Sequence, residues 1–359
     1  MRHILHAVGG RGQFLKAAAV IAALGEHDVT QTVVHAGSDC SAALEPILGD
    51  LGLREPDVVL PIDCGTPAER MAQLVVGMER CLLQRKPDLV LVYGGSDVTA
   101  GTALTAVKLG IDVGHVGAGL RSDDRWSSES VNRIVTDRLS SWLFTSSDTA
   151  DENLLAEGAE PGAIKLVGNV AIDSLARLVP LTRPEPLLQV LGIMNGKGPV
   201  PFALVTLHKP ATIDDETTFD RLFGAITELA RDIPVVFPTP TSTRQRMKDH
   251  LLKFSGLLVT EPMPYLQFLG LQQHAKCVIT DSRTIQEETT YLGVPCLTVC
   301  ESTEQPVTTT FGTNVLVGRN PDLLKMHARQ VLAGRGKRGS MPPLWDGHAA
   351  ERMAELLVR

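Results

Sequence analysis

Leu91-Val92-Tyr93-Gly94-Gly95-Ser96-Asp97, then His115-Val116-Gly117-Ala118-Gly119-Leu120-Arg121, then Ser128-Glu129-Ser130-Val131-Asn132-Arg133 decide the fold of this chain. In the first two, an apolar run gives way to glycines. That is how a buried parallel strand hands over to a helix, and the glycines let backbone and ligand approach closely at the strand's carboxyl end. Two such exits and one carboxylate-arginine helix, so close in sequence, are expected to line one crevice of an α/β unit.

Working outward, short β-branched runs alternate with helical patterns. Strands are predicted at Ile4–Val8, Thr32–His35, Leu89–Tyr93, Val113–Val116, Trp142–Thr145, Phe202–Thr206, Val235–Phe237, Leu257–Val259, Cys277–Thr280 and Pro295–Val299. Between them the 3.6-residue period predicts helices at Gln13–Leu24, Ala68–Arg85, Ser147–Glu157, Thr217–Arg231, Tyr265–Gln273 and Ile285–Leu292. Strands apolar on both faces mean parallel sheets covered by helices. Only Val179–Pro201, crowded with proline and glycine, breaks the alternation, and no strand is predicted there. The expected architecture is α/β and GT-B-like, with two Rossmann-like doubly wound domains facing a central cleft. The predicted domains are residues 1–180 and 200–345, with a last helix in 346–359.

Composition narrows the function. A chain of 359 residues, 43% hydrophobic and 21% charged, suits two ordinary domains. No apolar run reaches the roughly 18 residues of a membrane helix, so no membrane partner is expected. The short apolar start reads as a first strand, not a secretion signal, which points to the cytoplasm. A net charge of -7 argues against nucleic acid. The cysteines at 40, 64, 81, 277, 296 and 300 lack metal-ligand spacing and read as free thiols, so neither metal nor cofactor is expected.

Gly9-Gly10-Arg11-Gly12-Gln13-Phe14-Leu15-Lys16 follows the first strand. It reads either as a phosphate turn with two cations or as a plain strand-helix turn. His208 ends Ala203–Leu207, where an imidazole can bind phosphate or move a proton. Thr280-Asp281-Ser282-Arg283-Thr284-Ile285-Gln286-Glu287-Glu288 opens another helix, with Thr284 and Glu287 at capping-box spacing. Glu129 and Arg133 share a helix face. Asp97 reads as the amino-cap of a helix over Val98–Lys108, and Asp123 and Asp124 as loop residues.

These motifs together resemble the non-hydrolysing UDP-N-acetylglucosamine 2-epimerases over most of the chain. Gly9, Arg11 and Lys16 match that family's Gly-Thr-Arg-Pro-Glu-x-x-Lys, though Gly12-Gln13 replaces its Pro-Glu. Val205-Thr206-Leu207-His208-Lys209 is similar to Val-Thr-x-His-Arg, and Glu129-x-x-Asn132-Arg133 to Glu-Glu-x-Asn-Arg. Ser282 and Glu288 match Asp-Ser-Gly-Gly-x-x-Glu-Glu, with Arg283-Thr284 in place of the glycines. Thr303-Glu304-Gln305-Pro306 is similar to Thr-Glu-Arg-Pro-Glu, and Gly168-Asn169 with Asp173, and Glu261-Pro262 with Tyr265, also fit. Pro238-Thr239-Pro240-Thr241-Ser242 departs from a histidine-containing segment.

The resemblance implies a homodimer that binds a UDP-amino sugar. UDP leaves carbon 1 as a proton leaves carbon 2, and returns after reprotonation from the other face. It implies Glu129 and His208 for catalysis, and Arg11, Lys16, Arg133, Ser282, Arg283, Thr284 and Glu288 for the UDP-sugar, with Arg133 at the diphosphate and Glu288 at the ribose; Asp97, two residues beyond Gly95, is read beside its amino-cap role as a catalytic substitute. Gly95 and Gly117 stand where the family has catalytic carboxylates. Gly95→Asp with Gly117→Glu is therefore expected to raise epimerisation. The alternatives are a GT-B glycosyltransferase or UDP-sugar hydrolase, and a non-catalytic nucleotide-sugar binder.

Overall fold

The computed structural model describes residues 2–37, 47–62, 65–213, 215–239, 243–244, 247 and 256–358. It divides into two compact units, Met1–Arg177 with Pro343–Arg359, and Leu178–Pro342. Cys40, Cys64 and the segment from Pro240 to Ser242 lie outside the described residues.

The first unit holds seven strands: β1 (Arg2–Val8), β2 (Val29–Gly37), β3 (Val58–Pro61), β4 (Leu89–Tyr93), β5 (Asp112–Val116), β6 (Trp142–Thr145) and β7 (Ile164–Leu166). They form one parallel sheet in the order β3-β2-β1-β4-β5-β6-β7. All five residues of β4 are buried, as a strand covered on both faces requires. The order reverses between β1 and β4, so the crevice beyond their carboxyl ends is the switch point where open α/β sheets bind ligands.

The second unit begins one residue before the stretch predicted to lack strands. It contains a helix, Glu185–Val190, and a minimal antiparallel pair, β8 (Met194–Asn195) with β9 (Gly198–Pro199). The glycines and prolines there make a tight hairpin, which correctly suppresses any period-2 signal yet does not abolish pairing. Six parallel strands follow: β10 (Ala203–Thr206), β11 (Val235–Pro238), β12 (Leu257–Thr260), β13 (Cys277–Thr280), β14 (Cys296–Thr298) and β15 (Asn314–Leu316). Their order, β12-β11-β10-β13-β14-β15, reverses between β10 and β13. Each unit is thus doubly wound, as the alternation predicted.

Two predicted caps are corrected. Ser96, not Asp97, caps the helix Asp97–Lys108, its hydroxyl accepting from the Thr99 amide at 3.3 Å. Serine reaches that amide from the position before the helix, which leaves Asp97 inside the first turn. The Thr284–Glu287 box does not form, because the helix Arg283–Leu292 starts one residue before Thr284. Glu287 instead accepts from Gln305 Nε2 at 3.0 Å.

The end of the chain is tied into the first unit. Trp345 is fully buried and donates from Nε1 to the Ser146 carbonyl at 3.0 Å. Gly168, at φ 98°, lies so close beneath this segment that a Cβ there would stand 2.1 Å from the Leu344 carbonyl oxygen. Asp173 Oδ2 accepts the Ala350 amide at 2.6 Å, at the start of the helix Ala349–Val358, which packs on the helix Arg11–Gly25.

Burial pushes the Asp173 carboxyl up to about 6 from 3.8, against the pull of the helix amides. The folded state therefore favours the neutral acid. That contribution is fully present below the unfolded value and is lost as pH rises through about 6. Asp173→Asn keeps the acceptor and removes the titration. In urea unfolding between pH 4.5 and 7.5, the wild type is expected to lose on the order of 2 kcal/mol relative to the variant. Parallel pH dependences would refute the assignment.

Candidate active site

In the first unit the ends of β1 and β4 are fastened by one buried amide. Gln13 Oε1 accepts from the Gly9 and Gly10 amides at 2.6 and 3.1 Å, while its Nε2 donates to the Tyr93 carbonyl at 2.6 Å. Only a side chain with both an acceptor and a donor end can do this, so the Gln13 amide suits its place where a carboxylate would not. Arg11, exposed, opens the helix beyond this turn, and Lys16 is half-buried one turn further on.

The exits of β4 and β5 rest on a second buried group. His115 faces Asp137 Oδ1 with Nδ1 at 2.6 Å and the Gly94 carbonyl with Nε2 at 2.7 Å. Asp137 Oδ2 takes Arg121 at 2.7 Å and the Gly119 amide at 3.2 Å. Burial alone would raise the Asp137 carboxyl. His115 and Arg121 outweigh it and hold the group below the usual carboxylate range. The glycine turns are thereby fixed to the helix Ser128–Leu139 that carries Glu129 and Arg133.

Glu129 and Arg133 pair at 2.7 Å, but not as two surface groups: Arg133 is 1% exposed and Glu129 46%. Arg133 occupies the space over Gly95. A Cβ on Gly95 would lie 2.8 Å from Arg133 Cγ and 2.8 Å from the Glu129 carbonyl oxygen. Gly117 is different: it has φ 85°, and a Cβ there would stand 3.5 Å from Lys16 Nζ. Asp97 Oδ1 accepts from Asn132 Nδ2 at 2.9 Å, and that amide also donates to the Gly95 carbonyl at 3.2 Å. Lys16, Asp97, Glu129 and Arg133 thus gather around the same glycine exits. Asp123 and Asp124 sit in the exposed loop before the helix.

In the second unit, β10 and β13 are neighbours in register, Thr206 opposite Thr280. Their exits bring His208 beside Asp281. Asp281, fully buried, accepts from the His208 amide at 3.0 Å, the Lys209 amide at 2.9 Å and His208 Nδ1 at 3.1 Å. Burial opposes its charge, but these donors outweigh it and hold the carboxyl below the usual range. His208 is 55% exposed, so its other nitrogen is open to a ligand. Ser282 takes the amino-cap place of the helix Arg283–Leu292, with Thr284 half-buried in the first turn. Arg283 is engaged by Glu304. Glu288, buried, accepts from the Tyr265 hydroxyl at 2.6 Å.

Sequence reasoning gave no role to Asp281, His115, Asp137 or Gln13. Asp281 had a usable signal, an acid directly after a strand that neighbours the one ending in His208. Asp137 had none, since its partner is 22 residues away on another element.

Two doubly wound α/β units, each with charged side chains gathered at its switch point, are the make-up of GT-B-type nucleotide-sugar enzymes. A sequence profile of the family described as UDP-N-acetylglucosamine 2-epimerase matches residues 22–358. The chain belongs to that family, whose members are isomerases. It is 34% identical to the UDP-N-acetylglucosamine 2-epimerase of Methanocaldococcus jannaschii, over 98% of this chain and 97% of that one. It is also 34% identical to the UDP-2,3-diacetamido-2,3-dideoxy-D-glucuronate 2-epimerase of Pseudomonas aeruginosa, over 99% of each. The crystal structure of the M. jannaschii UDP-GlcNAc 2-epimerase in complex with UDP-GlcNAc and UDP superposes with a TM-score of 0.89 at 32% identity, covering 99% of both chains.

The packing over Gly95 revises one expectation. Gly95→Asp has to displace Arg133 or the backbone at Glu129, so it is expected to lower stability by about 1–3 kcal/mol, the range for overpacking a tight site. A melting temperature equal to wild type would show that Arg133 yields freely.

Proposed function

We propose that this protein interconverts UDP-N-acetylglucosamine and UDP-N-acetylmannosamine, or a related UDP-amino sugar, by elimination and re-addition of UDP. The observation that carries this reading is the Glu129–Arg133 pair: a half-exposed carboxylate held at a glycine-lined strand exit by a buried guanidinium. In this reading the first unit supplies the proton chemistry. Glu129 exchanges a proton with the sugar, Asp97 holds a second carboxylate nearby through Asn132, and Arg11, Lys16 and Arg133 provide positive charge. The second unit supplies nucleotide contacts, with His208 and Ser282 at the diphosphate and Glu288 at the ribose. Support for His208 comes from Asp281, which fixes Nδ1 and turns the other nitrogen outward. Arg283 and Thr284 stand at the same helix start, where Glu304 draws the Arg283 charge aside.

With glycine at 95 and 117, fewer acid-base groups stand at the exits, and turnover is expected to be slow. Incubation with UDP-N-acetylglucosamine in deuterated water, followed by nuclear magnetic resonance, is expected to show deuterium entering at carbon 2. Glu129→Gln keeps the shape without a titratable proton and is expected to slow exchange about 100-fold or more. Exchange that survives the substitution would transfer the role to Asp97. UDP release without exchange would favour a hydrolase or transferase.

We also propose a cytoplasmic homodimer. Among the described residues no helix is long and apolar enough to cross a membrane. The free thiols Cys81, Cys277, Cys296 and Cys300 support a reducing compartment. Val76, Leu83, Leu104, Val107, Val131 and Val135 are exposed on three successively packed helices, Pro67–Arg85, Asp97–Lys108 and Ser128–Leu139. Such an apolar face favours a partner. Light scattering is expected to give a dimer that Leu104→Glu weakens. A wild-type monomer would remove the proposal.

A further inference from the structure

His6 and His115 are both fully buried, and their partners differ in kind. His6 Nδ1 lies 2.7 Å from the Tyr93 hydroxyl and its Nε2 lies 3.0 Å from Gln31 Oε1. A hydroxyl can donate, so a neutral ring satisfies both contacts, with Nε2 giving its proton to the amide oxygen. Burial accordingly pulls His6 down to about 4.

Among the described residues, His115 has no partner able to donate in this way. Its Nε2 faces the Gly94 carbonyl at 2.7 Å and its Nδ1 faces Asp137 Oδ1 at 2.6 Å. A carbonyl oxygen only accepts, so Nε2 must carry a proton. At Nδ1 the proton could sit on either side of the contact, and the surroundings of Asp137 decide. Its second oxygen takes the Arg121 guanidinium at 2.7 Å and the Gly119 amide at 3.2 Å, donors that favour the ionised carboxylate. Nδ1 therefore donates as well, and the ring is an imidazolium. Its charge is balanced where it stands, because His115, Asp137, Arg121 and Glu157 alternate in sign along one chain of contacts.

The ring joins the three elements that build the site of the first unit. Asp137 stands on the helix Ser128–Leu139 with Glu129, Asn132 and Arg133, and His115 on β5. Gly94 lies at the β4 exit, where its φ of 69° turns the chain into Gly95. The same helix reaches the next carbonyl directly, Asn132 Nδ2 donating to Gly95 at 3.2 Å. Two successive carbonyls are thus held to one helix. With Asp137 ionised, the link through Gly94 reaches that helix only when both ring nitrogens donate.

We propose that His115 is a positioning residue, held as a buried imidazolium, that fixes the Gly94–Gly95 turn against the helix bearing Glu129. The inference rests on the reading of Glu129 as the proton-exchanging group and deepens it.

Nuclear magnetic resonance of the ligand-free, full-length protein with isotope-labelled histidine tests the protonation. Near neutral pH, the ring signals that His115→Asn removes are expected to report protons on both nitrogens. Asp137→Asn offers Nδ1 an amide donor, so there Nδ1 is expected to lose its proton while Nε2 keeps its own. If His115→Asn does not fold, the change in Asp137→Asn identifies the ring instead. A bare nitrogen on His115 in the wild type, or ring shifts unchanged by Asp137→Asn, would overturn the imidazolium.

Turnover separates positioning from a merely structural role. His115→Asn keeps a donor for Asp137 and loses the one for Gly94. Deuterium exchange at carbon 2 under saturating substrate is expected to fall about 100-fold, the scale of a small misplacement at a reacting centre, with UDP affinity within about threefold of wild type. Asp137→Asn keeps the Gly94 bond and is expected to hold exchange within about tenfold of wild type. Wild-type exchange in His115→Asn, or an equal loss in both variants, would overturn the positioning role. A wild type without exchange would overturn the epimerase reading and the positioning role together, whereas the nitrogen shifts report on His115 alone.

Discussion

A carboxylate taken out of water must find donors, and in each unit one buried aspartate dictates the shape of the strand exits. Asp281 accepts two amides and an imidazole. Asp137 accepts an imidazole, a guanidinium and an amide. Neither can lose its partners without leaving a buried charge uncompensated, which is costly in a low dielectric. The loops that end β10 and β5 are therefore held to one conformation by electrostatics, although glycine and short turns would otherwise leave them free. The two aspartates serve differently. Asp281 orients a side chain that faces outward, whereas Asp137 works below the surface, holding His115, Arg121 and the Gly119 amide to its helix.

Gln13 does with a neutral group what these aspartates do with a charge. Its amide joins the β1 exit to the β4 exit, with further donation to Ser96 Oγ at 3.0 Å and Thr99 Oγ1 at 2.9 Å. Ser96 is also the cap of the helix Asp97–Lys108, so the helix start and the glycine turn before it are built as one piece. This linkage explains why Asp97 is not the cap. The serine hydroxyl already satisfies the Thr99 amide, and the carboxylate one residue later is released to Asn132.

The parallel sheets were legible because their central strands are continuous apolar runs between glycine turns, as at Leu89–Tyr93 and Cys277–Thr280. β3, β7 and β15 escaped notice for a physical reason. They are three or four residues long and mostly half-buried, so neither periodicity nor a long apolar run marks them. At the site, His208 and Ser282 could be read directly because each closely follows a strand end, and Glu129 and Arg133 because they share one helix face. The engagement of Arg283 by Glu304 joins positions 21 apart in sequence and could not be inferred from spacing. The burial of Arg133 was equally hidden, since an i, i+4 pair looks the same on a surface helix as on one whose second member points inward.

That asymmetric burial shapes how the first unit can work. Arg133, nearly inaccessible, is anchored by packing over Gly95 and by Glu129, and moving it would strand a positive charge in the interior. Glu129, nearly half exposed, can itself be hydrated, but its departure takes from the buried guanidinium a partner that an incoming anion would have to replace. The mobile partner is thus the carboxylate and the fixed one the cation. Gly95 is part of the same arrangement, because a side chain there would take the volume that lets the guanidinium sit beneath the exit. Position 95, Arg133 and Glu129 therefore form one coupled unit, in which the absence of a side chain at 95 goes with the burial of the arginine at 133.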